Sequence, residues 1–176
     1  MYTRKQDDID QIRDDESTVD RLCAGITDYT IKLGSLQISE KEHQTTAHLL
    51  QVLSDIERIS DYCENISEFA ETLNEKKAEF SDVAVNNLRD MIDETVQCYE
   101  YALDAFKENS HEKALKVIEK ETKVDNYEID LRSSHMKRLA RNECNTDAGV
   151  VFLDALVCVE RISDHARNIA EEVLAG

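Results

Sequence analysis

The run Glu57-Arg58-Ile59-Ser60-Asp61 recurs letter for letter as Glu160-Arg161-Ile162-Ser163-Asp164, 103 residues further along the chain. The agreement continues through Asn65-Ile66 with Asn168-Ile169 and Glu68 with Glu171, so eight of twelve positions coincide. Self-similarity at a fixed spacing marks two copies of one structural unit, which narrows the fold more than any compositional figure does. Upstream of each copy, Glu16, Val19 and Asp20 align with Glu121, Val124 and Asp125 after a shift of two residues in the connecting segment.

The repeated unit is helical. Val52, Ile56, Ile59, Cys63, Ile66, Ala70 and Leu73 alternate spacings of four and three, as do Val151, Ala155, Val159, Ile162, Ala166, Ile169 and Val173, and each set falls on one helical stripe. The chain has no proline and only four glycines, so little interrupts a long helix. The spacing predicts five helices, from about Asp7 to Leu33, Ser39 to Lys77, Ser81 to Lys107, His111 to Arg141 and Thr146 to Leu174. Gly34 suits a left-handed cap for the first, Ser39 with Glu42 a capping box for the second, and Asn109 and Ser110 are cap candidates before the fourth. The expected fold is all-α: an elongated antiparallel bundle forming one domain over residues 1–176, with repeat one at about 1–78 and repeat two at about 79–176. The third helix lies between the copies and opens the second unit if each unit has three helices. The first unit then lacks its opening helix.

Charge excludes some partners. With 21 basic and 38 acidic residues the formal net charge is −17, which repels nucleic acid and anionic membrane faces and favours cations. The five cysteines are odd in number and show no C-x-x-C spacing, so each is expected to be a small, buried, reduced apolar residue. The polar stretch Met1 to Asp10 is neither a signal peptide nor a membrane helix. The most apolar stretch, Ala148 to Val159, contains Asp154 and is too short to cross a hydrocarbon core of about 30 Å. No direct membrane insertion of this chain is expected.

Four Glu-x-x-x-Asp pairs carry the candidate chemistry: Glu16/Asp20, Glu57/Asp61, Glu121/Asp125 and Glu160/Asp164. Residues four apart share a helix face, so each pair offers two carboxylates side by side. Such hard oxygen donors suit magnesium, manganese, calcium or iron. A chain this acidic holds roughly eight acid pairs at that spacing by chance, so one pair alone is only solvated charge. Their matching places in both copies favour a metal site. At about 100° per residue, Glu57/Asp61 and Glu160/Asp164 project away from the core stripes, which predicts shallow surface clusters rather than a buried cage. Asn65 and Asn168 continue these rows and could serve as ligands or orient them.

The remaining polar residues point elsewhere. His165 follows Asp164 but has Tyr62 as its counterpart, so it belongs to no symmetric ligand set. His43, His48, His111 and His135 are expected to be solvated, and Arg58 and Arg161 to form surface ion pairs with a neighbouring helix. No phosphate-cradling glycine loop, nucleophile elbow or paired cysteine and histidine occurs, so enzymatic activity is not expected.

Glu57-Arg58-Ile59-Ser60-Asp61 with Asn65-Ile66, and above all Glu160 to Ala166 with Asn168-Ile169-Ala170-Glu171, resemble the hallmark of the PhoU family. The resemblance covers nearly the whole chain. It implies two three-helix repeats whose acidic pairs bind surface clusters of divalent or iron-type metal ions. Glu16, Asp20, Glu57 and Asp61 would then form one site, and Glu121, Asp125, Glu160 and Asp164 the other. The first copy departs from the pattern at Tyr62 and Cys63, which implies a weaker site there. The resemblance further implies regulation of phosphate transport or phosphate signalling. Its partners would be the membrane domain of a phosphate transporter, a sensor kinase or a second copy of the domain, at the cytoplasmic face of the cell membrane. PhoU-like proteins occur alone and as cytosolic tails of sodium/phosphate cotransporters, and the missing opening helix favours the tail. A plain helical adaptor, with acids that are only solvated charge, and a carboxylate-bridged metal enzyme are the competing classes.

Overall fold

The computed structural model describes residues 6–176, and five helices account for nearly all of them: α1 Gln6–Gly34, α2 Glu40–Glu75, α3 Asp82–Glu108, α4 His111–Ala140 and α5 Thr146–Ala175. Residues 1–5 of the polar N-terminal stretch lie outside the described residues. Among the described residues there is no strand, and no helix is long and apolar enough to cross a membrane.

The helix ends follow their capping chemistry. The Ser39 hydroxyl accepts from the Glu42 amide at 3.3 Å while the Glu42 carboxylate accepts from the Ser39 amide at 2.7 Å, closing the predicted capping box. Ser81, Ser110 and Asn145 cap α3, α4 and α5 in the same way, each accepting from the amide three residues on. Asn109 closes α3 at a φ of 49°, in the left-handed region that asparagine tolerates. Gly34 behaves differently from expectation. It has no positive φ and is simply the last residue of α1, the Ser35 amide continuing the ladder to the Ile31 carbonyl at 3.1 Å.

The packing places α2 and α5 side by side at the centre. Helix α1 flanks α2, α4 flanks α5, and α3 lies across both α4 and α5. Burial tracks this order: α5 buries fourteen residues, including all seven of its stripe, whereas α1 buries only Ile9, Cys23 and Thr30. One core cluster joins Val52 and Ile59 of α2 to Ala102 of α3, Val117 of α4 and Ile169 of α5. A second joins Met91 of α3 to Val124 and Leu131 of α4 and Phe152 and Leu156 of α5.

The α2 stripe is less complete. Cys63 is exposed, whereas its counterpart Ala166 is buried. The difference follows from α3: it covers the α4–α5 pair, and no described helix covers the α1–α2 pair in the same way. Cys23, Cys98 and Cys158 are buried as the sequence predicts, and Cys144 is half-buried.

Candidate metal centres

Helices α1 and α2 run side by side, as do their counterparts α4 and α5, and each pair brings three carboxylates together. Glu16 and Asp20 stand one turn apart on α1 opposite Asp61 of α2, and Glu121 and Asp125 of α4 stand opposite Asp164 of α5. In each triad one carboxylate oxygen per residue lies within 4.8 Å of the others. Six of the eight candidate residues thus converge, and they do so at repeat-related positions. Glu57 and Glu160 lie outside the triads. Glu57 is exposed in a depression shared with Asp20 and Arg21, and Glu160 is half-buried beside Arg161, 3.6 Å away.

The two centres differ in depth and charge. In the first, Glu16 is half-buried and Asp20 exposed, as a shallow cluster requires. In the second, Glu121 is only 3% exposed, so this centre is deeper than helical geometry alone predicts. Arg167 explains how a carboxylate tolerates that burial: its Nη1 donates to Glu121 at 2.9 Å and its Nε to Glu171 at 2.8 Å. The residue at the Arg167 position in the first copy is Glu64, a charge reversal. Arg58 and Arg161 each pair with an acid of their own helix, Asp61 and Asp164, at 3.0 Å in both cases, rather than with a neighbouring helix as expected.

Crowding leaves its mark on the acids. Burial, then Glu121 and Asp164, push the Asp125 carboxyl above its usual range; burial, then Asp164, do the same for Glu160. Glu16 is raised by burial first and then by Asp20, with Glu64 adding to the repulsion. Asp125 Oδ1 is buried with no hydrogen-bond partner among the described residues. An orphaned carboxylate oxygen between two further acids is an arrangement that a hard cation satisfies and that water exclusion otherwise makes costly. The residues present therefore fit the metal ions that the family resemblance implies.

Some functional-looking polar residues were not anticipated. Asp55 of α2 is 2% exposed in the seam with α5, where Oδ1 accepts from His165 Nδ1 at 2.8 Å and from Asn168 Nδ2 at 3.0 Å. His165 and Asn168 are thereby committed to this seam rather than to the Asp164 cluster. Asp55 falls between Val52 and Ile59 on the apolar stripe, where an acid is out of place, but with Gln51 and Ile59 four residues to either side it belongs to no acid pair. His135, expected to be solvated, is buried at 3% exposure with its ring against Phe152 at 4.7 Å. His48 is paired with Glu172 rather than free in solvent.

The helical fold has a counterpart among known proteins. The profile of the PhoU domain matches residues 1–70 and 88–173. The chain belongs to the PhoU family. The phosphate-specific transport system accessory protein PhoU homolog 1 of Thermotoga maritima is 29% identical over 126 residues, which is 72% of this chain and 53% of that protein. The chain therefore spans about half the length of this curated relative. The crystal structure of PhoU from Pseudomonas aeruginosa superposes with a TM-score of 0.80 at 25% identity, covering 94% of this chain and 79% of that one. The phosphate transport system regulatory protein PhoU from Streptococcus pneumoniae shares the fold with a TM-score of 0.83 at 19% identity, covering 94% and 77%. The fold shared with these PhoU structures accounts for the helical bundle described above.

Proposed function

We propose that this PhoU-family chain is a regulator of phosphate transport whose two acidic triads bind metal ions. The observation that carries the reading is the duplication of the triad: chance scatters acids over both copies without bringing Glu16, Asp20 and Asp61 together in the same manner as Glu121, Asp125 and Asp164. The names of the relatives support the phosphate context, since the Thermotoga maritima protein is called an accessory protein of a phosphate-specific transport system. They favour a PhoU-type regulator over the cotransporter tail suggested by the uncovered first unit, as each of the three relatives bears the PhoU name.

In this reading Glu16, Asp20 and Asp61 hold one centre, with Glu57 at its rim, and Glu121, Asp125 and Asp164 hold the other, with Glu160 at its rim. Bound divalent or iron-type cations supply positive charge that offsets the clustered acids. The protein's own part is positional: α1 and α2 present their acids across one seam, α4 and α5 across another, and Arg167 shares Glu121 with the second centre. Charge at the seams thus bears on how firmly α1 is held against α2, because α1 has no other described neighbour. The face offered to a transporter membrane domain or a sensor kinase would change accordingly. The reading is regulatory rather than catalytic, and it places the protein at the cytoplasmic side of a phosphate transporter.

The test is phosphate uptake in cells whose chain carries Asp61→Asn with Asp164→Asn. Loss of the normal response of uptake to external phosphate is expected, with the variant present at wild-type abundance. An unchanged response would remove the metal centres from the function.

A further inference from the structure

A cavity of about 170 Å³ opens at the end of the bundle where α4 finishes and α3 and α5 begin, away from both acidic triads. Ser81 and Asn145, the N-caps of α3 and α5, line it with Phe80, Ala84, Ala148 and His135. His135 is 3% exposed, and its Nε2 is buried with no hydrogen-bond partner. Arg138 Nη2 lies 3.4 Å from the other ring nitrogen, Nδ1. Because a guanidinium can only donate, Nδ1 is the acceptor and the ring proton sits on Nε2. Burial, then the Arg138 charge, hold the imidazole below its ordinary range, so it is neutral at neutral pH. The Gly149 backbone attracts the Nε2 proton without closing a hydrogen bond. A buried N–H left in this state costs free energy that a ligand oxygen returns.

Gly149 keeps the space beside that donor open. It lines the cavity opposite His135, and a Cβ there would stand 3.0 Å from Nε2 and 2.9 Å from Leu139 Cδ2. A glycine inside a helix costs stability relative to alanine, so the open space is kept at some expense. The repeat does not account for it, since Thr30 and Thr46 occupy the places of His135 and Gly149 in the first unit.

Charge and size set the class of ligand. The chain holds 38 acids, yet Arg138 pairs with no carboxylate among the described residues, and its Nε is buried without a partner. The first-turn amides of α3 and α5 add the positive ends of two helix dipoles. Glu79 and Glu143 also line the cavity but are exposed, so they oppose a dianion far more than a single charge set inside beside His135. A cavity of roughly 150 Å³ holds a benzene-sized molecule, which leaves room here for about six non-hydrogen atoms. We propose that this cavity binds a small aliphatic monocarboxylate. Its carboxylate accepts from His135 Nε2–H after a small rotation of the ring, and its alkyl chain lies against Phe80, Ala84 and Ala148.

Nuclear magnetic resonance of the 176-residue chain titrated with sodium butyrate at constant ionic strength tests this. Saturable shifts are expected in the His135 ring and in the amides of Ala84, Ala148 and Gly149, with a Kd on the order of 1 mM. Butyramide, of the same shape but uncharged, should bind at least about tenfold more weakly. His135→Phe keeps a ring against Phe152 and removes the donor, so affinity should fall at least about tenfold with the melting temperature maintained. Gly149→Ala, whose methyl stands against Nε2, should weaken binding by a similar factor of about ten. A cavity that takes up water only, seen as no saturable shift at tens of millimolar butyrate, would overturn the proposal. So would butyramide binding as tightly as butyrate, or undiminished butyrate binding in either variant while its helical circular dichroism is intact.

Discussion

At the scale of single residues, the two centres are distinguished by what stands at one position. Arg167 neutralises buried Glu121, whereas Glu64 at the matching place adds to the repulsion around Glu16. The first centre therefore has more uncompensated negative charge and should bind a divalent cation more tightly, the reverse of what Tyr62 and Cys63 suggest from the sequence. Arg167→Gln leaves a buried carboxylate without its cation. It should lower the stability of the metal-free protein by about 1–3 kcal/mol, the guanidinium being too exposed for a larger loss, and tighten cation binding at the second centre. Thermal melting with and without manganese reads both effects. Asp125 makes a complementary case. Because its carboxyl is raised in the folded protein, its ionised form opposes folding at neutral pH, and that cost is relieved as pH falls through the raised value. Asp125→Asn should thus raise the metal-free melting temperature at pH 7.5, and its advantage over wild type should shrink toward pH 5. A gain that grew with acidity would show that Asp125 is stabilised rather than crowded.

At the scale of helices, the seam between α2 and α5 depends on one buried acid. Asp55 satisfies donors from His165 and Asn168 of α5, so Asp55→Ala leaves both facing an apolar seam and should cost about 2–4 kcal/mol. Chemical denaturation measures the loss, and a change below half a kilocalorie would mean that water replaces the carboxylate freely. Much of this level was legible in advance. The five helices begin and end within a few residues of their predicted bounds because serine and asparagine caps are local signals, and the α5 stripe is buried in full because that helix is surrounded. What escaped was anything decided by a neighbour. Cys63 lies on a regular stripe yet is exposed, since periodicity names a face without saying what covers it. His135 reads as a polar residue near a helix end and is buried by Phe152, which is contributed by another helix. Gly34 looks like a left-handed cap, but the ladder simply runs past it into Ser35.

At the scale of the molecule, duplication is what turns weak local signals into a candidate site. Each acid pair has the spacing of ordinary solvated charge, and only the packing of α1 on α2 and of α4 on α5 brings a third carboxylate to each pair. Six of the eight repeat-matched acids meet in the triads, but helical geometry alone gave no reason to leave Glu57 and Glu160 outside them or to sink Glu121 beneath Arg167. The same duplication exposes an asymmetry. The second unit has α3 across its helices, whereas no described helix lies across α1 and α2 in that way, so the two halves share a candidate metal chemistry but differ in what covers them.

The most direct measurement is an equilibrium titration of the metal-free chain with manganese, followed by calorimetry, for wild type, Asp61→Asn, Asp164→Asn and the double variant. Two classes of binding should appear in wild type, the tighter class should disappear with Asp61→Asn and the weaker with Asp164→Asn, and the double variant should retain neither. Binding that is absent from wild type at millimolar manganese, or that survives unchanged in the double variant, would contradict the account.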